Sequence, residues 1–190
     1  MNPTIEQMLT RRSIRNFTGE QVSEENLKQI LKAAHQAPTS INGQQISLVV
    51  VRDKSKIQKI ADIAGGQPQV ASADVFVAIV VDYHRASSVM ADNGQDLVIS
   101  QSAEGIVVGA VDAGIMLNAI QTASEALGYG TTAIGGIRRD PAALVELLGL
   151  PKNTYPLVGT TIGVADTQVP SAAKPRVAID SFAMYETYDV

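Results

Sequence analysis

The chain has 190 residues, 45% of them hydrophobic and 18% charged, with a formal net charge of −4 and a pI near 5.1. That length suits a single domain able to bury a core without staples, and the acidic balance, without runs of like charge, offers no electrostatic footprint for duplex nucleic acid or an anionic membrane. Cysteine is absent, which removes disulfides, thiolate metal sites, thiol nucleophiles and thiol redox motifs, and accords with a cytoplasmic location.

The first residues, Met1 to Glu6, form neither a basic leader nor an apolar run, so no secretory signal is expected and the mature chain is expected to start here. Asn2 before Pro3 predicts a capped first helix with Ile5, Met8 and Leu9 on one face. It ends in Arg11-Arg12-Ser13-Ile14-Arg15, three arginines within five residues of an acidic chain. Guanidinium forks beside a serine hydroxyl suit phosphate oxygens; equally, arginines at a helix C-terminus favour its dipole and solvate the surface. A second helix is predicted from Ser23, with Glu24 and Glu25 in its first turn, Leu27, Ile30, Leu31 and Ala34 inward, and an end before Pro38. The segment from Pro38 to Gln45 reads as a polar loop, and Ile46 to Val51 as a strand.

Asp53 predicts the cap of a third helix that buries Ile57, Ile60, Ala61 and Ala64 and stops at Gly65-Gly66. Gln67-Pro68 opens a loop, and Val75 to Val81, apolar throughout and rich in β-branched residues, predicts a central strand covered on both faces. A polar stretch from Asp82 to Asp96 separates it from the most apolar helix, Glu104 to Leu127, about 36 Å long at helical rise. Gly105 and Gly109 form a G-x-x-x-G pair, but Glu104, Asp112 and an uninterrupted apolar run limited to Gly105–Val111 argue against insertion in a bilayer. The helix is expected to serve as the domain's spine and as part of a homodimer interface. Tyr129 to Ile137 predicts a strand entering a glycine turn, Asp140-Pro141 opens a short helix stopped by Gly149, and Leu157 to Val164 is the fourth strand. From Asp166 to Val190 the tail carries a second basic group, Lys174-Pro175-Arg176, and reads as an extended arm able to add a strand to a partner's sheet. The whole is one domain, 1–190, of mixed α/β layers.

Several chemistries drop out. Gly128 to Ala133 matches G-x-G-x-x-A, but it follows a helix and enters a strand, the reverse of the dinucleotide fingerprint. His35 and His84 lie on unrelated segments without carboxylates at metal-ligand spacing, so neither a zinc site nor a histidine triad is expected. What remains is a site of arginines, amides, hydroxyls and glycines without a nucleophile, acid or base, and that points to a bound cofactor.

Six motifs in order carry a family resemblance: Arg-Arg-Ser-Ile-Arg-Asn-Phe at 11–17, Ala-Pro-Thr-Ser at 37–40 with Asn42 and Gln44, Gly-Gly-Gln at 65–67, Ile-Gly-Gly-Ile-Arg at 134–138, Leu-Gly-Leu-Pro at 148–151 and Lys-Pro-Arg at 174–176. Together they resemble the nitroreductase family of FMN enzymes, in its oxygen-insensitive NADPH nitroreductase and flavin reductase branch. The resemblance implies an α+β fold, a mixed β-sheet flanked by helices around a long central helix, in an intertwined homodimer with FMN between subunits. It implies that Arg11, Ser13, Lys174 and Arg176 hold the FMN phosphate with help from Arg12, and that Arg15 approaches the ribityl and the N1 and C2 edge. Ser40, Asn42 and Gln44 would come from the partner's loop, Gln67 would bond the flavin, and Ile134, Gly135 and Gly136 would offer backbone near N5.

No side chain is expected to carry the catalysis. The implied reaction passes a hydride from NADPH or NADH through the flavin to a nitroaromatic, quinone or flavin acceptor, in two alternating steps. Larger members of this branch continue beyond the Lys-Pro-Arg segment, whereas 14 residues follow Arg176 here. That leaves NADPH and NADH both open as donors, with Arg85, Arg138 and Arg139 either contacting a 2′-phosphate or solvating the surface. It also leaves open a flavin-binding reservoir or redox-responsive module without efficient turnover.

Overall fold

A computed structural model describes residues 1–188. Four strands form one sheet: β1 (Ile46–Val51), β2 (Val75–Asp82), β3 (Gly130–Ile134) and β4 (Thr154–Gly163), in the order β1-β2-β4-β3. Every pairing is antiparallel, so the mixed sheet expected from the resemblance is not present among the described residues. Antiparallel sheets often leave one face to water. Here β2 is buried at all eight positions, because its alternating side chains feed two cores.

Phe76, Ala78 and Val80 face α3 (Lys54–Ile63) and α7 (Pro141–Leu148), where Ile57, Ile60 and Leu144 are fully buried. Val75, Val77 and Ile79 face α2 (Glu24–His35) and α6 (Ala103–Ala126), meeting Ile30, Ala113 and Ile120. The result is three layers, with the sheet between helix pairs. Gly159 on β4 admits the Phe76 ring, whose Cε1 would lie 2.9 Å from a Cβ there. Burying such an aromatic side chain stabilises the fold by roughly 1.5–3 kcal/mol.

Local chemistry sets the helix starts. The Asn2 side chain accepts from Thr4 N and Ile5 N at the head of α1 (Pro3–Thr10), Ser23 from Asn26 N, Asp53 from Lys56 N and Asp140 from Ala143 N. Gly149 closes α7 in the left-handed conformation, φ 64°. Several elements differ from the sequence expectation: β3, for one, ends at Ile134, and Gly136–Arg139 form a 3-10 turn. A one-turn helix, α4 (Pro68–Ala71), begins where a loop was expected, because proline suits a first helical turn. The polar stretch after β2 folds as α5 (His84–Asp92), a helix that buries no residue and whose few apolar side chains, Ala86, Val89, Met90 and Ala91, stand among polar ones. β4 starts three residues early, passing through Pro156, which pairs with Val80 beside a bulge that leaves Leu157 out of register.

α1 buries none of its residues: Ile5, Met8 and Leu9 are all exposed, as are Ile106, Val107 and Val111 on α6. α6 is long and apolar enough by composition to cross a bilayer, yet it packs on α2 and the sheet and carries a buried acid, Asp112. After β4 the chain runs exposed, with one helical turn, α8 (Ile179–Phe182). The end of the expected arm, residues 189–190, lies outside the described residues.

Candidate functional site

The arginine segment is not helical. α1 ends at Thr10, Arg11 takes extended angles (φ −58°, ψ 141°), and the following residues lie along the free edge of β3. Ile14 N donates to Thr131 O at 2.8 Å, and the Thr132 hydroxyl donates to Ile14 O. Ile14 also fills the space above Gly130, where a Cβ would stand 2.6 Å from its Cγ2. Phe17 bridges Ala165, Thr18 N donates to Val164 O and Asp166 N to Asn16 O, both at 3.0 Å. These bonds pin the segment beside the exit of β4, which explains why the two basic groups meet. Arg11, Arg12, Ser13 and Arg15 line one cleft of about 310 Å³ with Lys174 and Arg176.

Five cationic side chains face that cleft against one carboxylate, Asp166. Among the described residues Arg12, Arg15, Lys174 and Arg176 form no ion pair. Arg11 does: its Nε lies 3.9 Å from Glu125 Oε1, which also accepts from the Thr131 hydroxyl at 3.0 Å. Such a concentration of cation and hydroxyl fits a phosphate dianion.

β3 leads from this cleft to the second group. Ile134 is buried at the strand's end with its side chain in the core, so only its backbone can face a ligand. Gly136 and Gln67 touch. A Cβ on Gly136 would lie 2.6 Å from Ala64 O and closer still to Gln67 Nε2. The Gln67 amide donates to Ala64 O at 3.0 Å and accepts from Gln69 Nε2 at 2.6 Å, which fixes its orientation and leaves one N–H unused. At Gly135 the nearest atom to an added Cβ is Arg138 Nη2 at 3.1 Å.

Ser40, Asn42 and Gln44 lie apart from both groups, in a loop whose 3-10 turn spans Ser40–Asn42. None of the three lines the cationic cleft; Gln44 borders a different one, beside Thr39 and Arg85. Arg85 is fully engaged, since it donates to Asp82, to the Ser47 hydroxyl and to the carbonyls of Gln44 and Ile46. It supports this loop and is not a free surface charge. Arg138 donates to Leu157 O at 2.7 Å, and Arg139 lies over Gly65, where its guanidinium would obstruct a Cβ.

Sequence reasoning missed Glu125, Gln69, Gln45 and the part played by Asp112. For Asp112 a signal existed: it is a lone acid within an apolar helix, and buried acids need partners. Nearby, burial pushes the Tyr83 phenol above its ordinary range, and the charges of Asp112 and Glu104 add to the shift; its hydroxyl donates to Gly105 O at 2.7 Å. His35 and His84 are exposed and lie in no metal-binding group among the described residues.

An edge-strand cleft rich in cation, a glycine packed against a glutamine amide and a separate polar loop make up a candidate site whose charge suits an anion. The nitroreductase family model matches residues 8–164, and the chain belongs to that family. It is 43% identical over 189 residues to an FMN reductase (NAD(P)H) of Bacillus subtilis, an alignment covering 99% of this chain and 75% of that protein. Among solved structures it resembles the hypothetical oxidoreductase YcnD from Bacillus subtilis, with a TM-score of 0.96 and 42% identity, over 100% of this chain and 76% of the other. The NADPH:FMN oxidoreductase from Vibrio harveyi complexed with NAD+ matches with a TM-score of 0.89 and 35% identity, over 100% of this chain and 79% of the other.

Proposed function

We propose that the chain is an NAD(P)H-dependent FMN oxidoreductase whose site is completed by a second copy. The observation that carries this is the convergence of Arg11, Arg12, Ser13, Arg15, Lys174 and Arg176, from both ends of the chain, on one cleft. The chemistry supplied by bound FMN is two-electron transfer, from NADPH or NADH to a nitroaromatic, quinone or flavin acceptor in two alternating half-reactions.

The chain's own residues bind, orient and polarise. Arg11, Ser13, Lys174 and Arg176 hold the phosphate, with Arg12 beside them. Arg15 would offer a cation to the N1 and C2 edge, where it would stabilise negative charge and raise the reduction potential. Gln67 would offer its remaining N–H to the flavin, and Ile134, Gly135 and Gly136 would offer backbone that no Cβ obstructs at the glycines. Ser40, Asn42 and Gln44 serve the site of the second copy. That division accords with their absence from the cleft's lining, and the exposed apolar faces of α1 and α6 supply surface for a homodimer.

Purified protein is expected to be yellow, or to become so on titration with FMN, and to bleach when NADPH or NADH is added without oxygen. A yellow protein that neither nucleotide reduces is a flavin-binding module without turnover. A colourless protein that FMN does not restore overturns both.

A further inference from the structure

Asp112 lies midway along α6 and is 2% exposed. Among the described residues no cation pairs with it. Its oxygens instead accept from Ser40 N, 3.2 Å from each, and from the amide of Gln45, itself 7% exposed. These donors stand at either end of a strained segment. Ile41, Asn42 and Gln44 have φ of 49°, 54° and 51°, left-handed angles that cost an L residue free energy, most of all a β-branched one. Ile41 is 95% exposed, so its own packing cannot offset that cost. The segment is held by the Asp112 pair, by turn bonds from Asn42 N to Thr39 O at 3.1 Å and from Gly43 N to Ser40 O at 2.8 Å, by the Thr39 hydroxyl accepting from Gln44 N at 3.1 Å, by Asp82 N donating to Gln45 O at 2.9 Å, and by the Arg85 guanidinium on Gln44 O and Ile46 O.

We propose that Asp112 is a positioning residue of the flavin site: it clamps the 39–45 loop in the strained form that presents Ser40, Asn42 and Gln44 to the cofactor of a second copy. The inference rests on the assignment of those three residues as cofactor contacts. The carboxylate accepts from both donors at once. A side chain without an acceptor at this position leaves Ser40 N–H and the buried Gln45 amide without their partner, whereas an asparagine could keep both bonds if the Gln45 amide turned over and accepted from it. Without its clamp the strained loop relaxes, and binding must then rebuild the competent form.

The test is a double-mutant cycle on FMN affinity, measured by quenching of flavin fluorescence, with Asp112→Ala, the loop variant Asn42→Ala/Gln44→Ala, and their combination. Asp112→Ala is expected to weaken FMN binding about tenfold, and the combination no more than the weaker-binding parent, because the clamp acts only through the loop. Additive losses overturn the proposal, as does an unchanged affinity in Asp112→Ala while the loop variant is impaired; the loop assignment survives both. An unimpaired loop variant removes the assignment itself and the proposal with it. If Asp112→Ala does not fold, amide exchange on the FMN-free wild-type protein decides: Ser40 N–H is expected to exchange at least about tenfold more slowly than Ile41 N–H, and equal rates overturn the clamp.

Discussion

Gly136→Ala tests the packing that brings the end of β3 to Gln67. The added Cβ would stand 2.6 Å from Ala64 O, a backbone atom fixed at the end of α3, and closer still to the Gln67 amide, which can move. Relieving the clash therefore swings Gln67 off its 3.0 Å bond to Ala64 O and out of the orientation set by Gln69. Overpacking of this kind costs about 1–3 kcal/mol. Loss of glycine's freedom in the unfolded chain returns about 0.4–1 kcal/mol, since Gly136 lacks the positive φ that would make alanine strained. The net destabilisation is thus about 0–2.6 kcal/mol, up to roughly 10 °C in Tm for a domain of this size.

Gly135→Ala provides the internal control. Its nearest neighbour would be the mobile tip of Arg138 at 3.1 Å, so it is expected to be neutral or slightly stabilising. Urea unfolding of both FMN-free variants measures the difference, and FMN titration reports whether the displaced Gln67 weakens binding. Equal stability of the two variants would refute the packing account.

Arg176→Ala removes one of five cations from the cleft and is expected to weaken FMN binding by about 1.5–3 kcal/mol, less at high salt because the residue is exposed. A flavin titration at two ionic strengths measures it, and unchanged affinity counts against a phosphate contact. Arg15→Ala is expected to lower the flavin reduction potential as well as affinity; an unshifted potentiometric titration removes its role at N1. Tyr83 has a phenol raised by burial and by the charges of Asp112 and Glu104, and it donates to Gly105 O. A raised folded-state value means that its stabilisation is complete below the unfolded tyrosine value, near pH 10, and is lost as pH climbs through the folded one. Urea midpoints from about pH 9 to 11 should fall more steeply for the wild type than for Tyr83→Phe.

Much of the site was legible because its residues are chemically conspicuous. Guanidinium side chains clustered in an acidic chain, paired glycines and a polar loop stand out without any knowledge of their neighbours. Arg85 was not legible: a lone arginine after a strand looks like surface charge, and only the approach of Gln44 and Ile46 makes it a buttress. Glu125 was hidden likewise, as an ordinary acid near a helix end until β3 and the arginine segment arrive beside it. α5 escaped because its short apolar group, Ala86, Val89 and Met90, is set within the polar stretch from Asp82 to Asp96.

The sequence by itself determined what depends on neighbours along the chain. Asn2, Ser23, Asp53 and Asp140 cap helices because a side chain reaches an amide two or three residues on. The burial of β2 follows from its unbroken apolar run, and the end of α7 from Gly149. Tertiary structure alone decided that Arg11 to Arg15 leave the helix as an extended edge, that β4 exits beside them to bring Lys174 and Arg176 across, and that Asp112 meets Ser40 and Gln45. Charge and hydrogen bonding act over a few ångströms in space, whatever the distance along the chain, so these meetings exist only once the sheet has set its strand order.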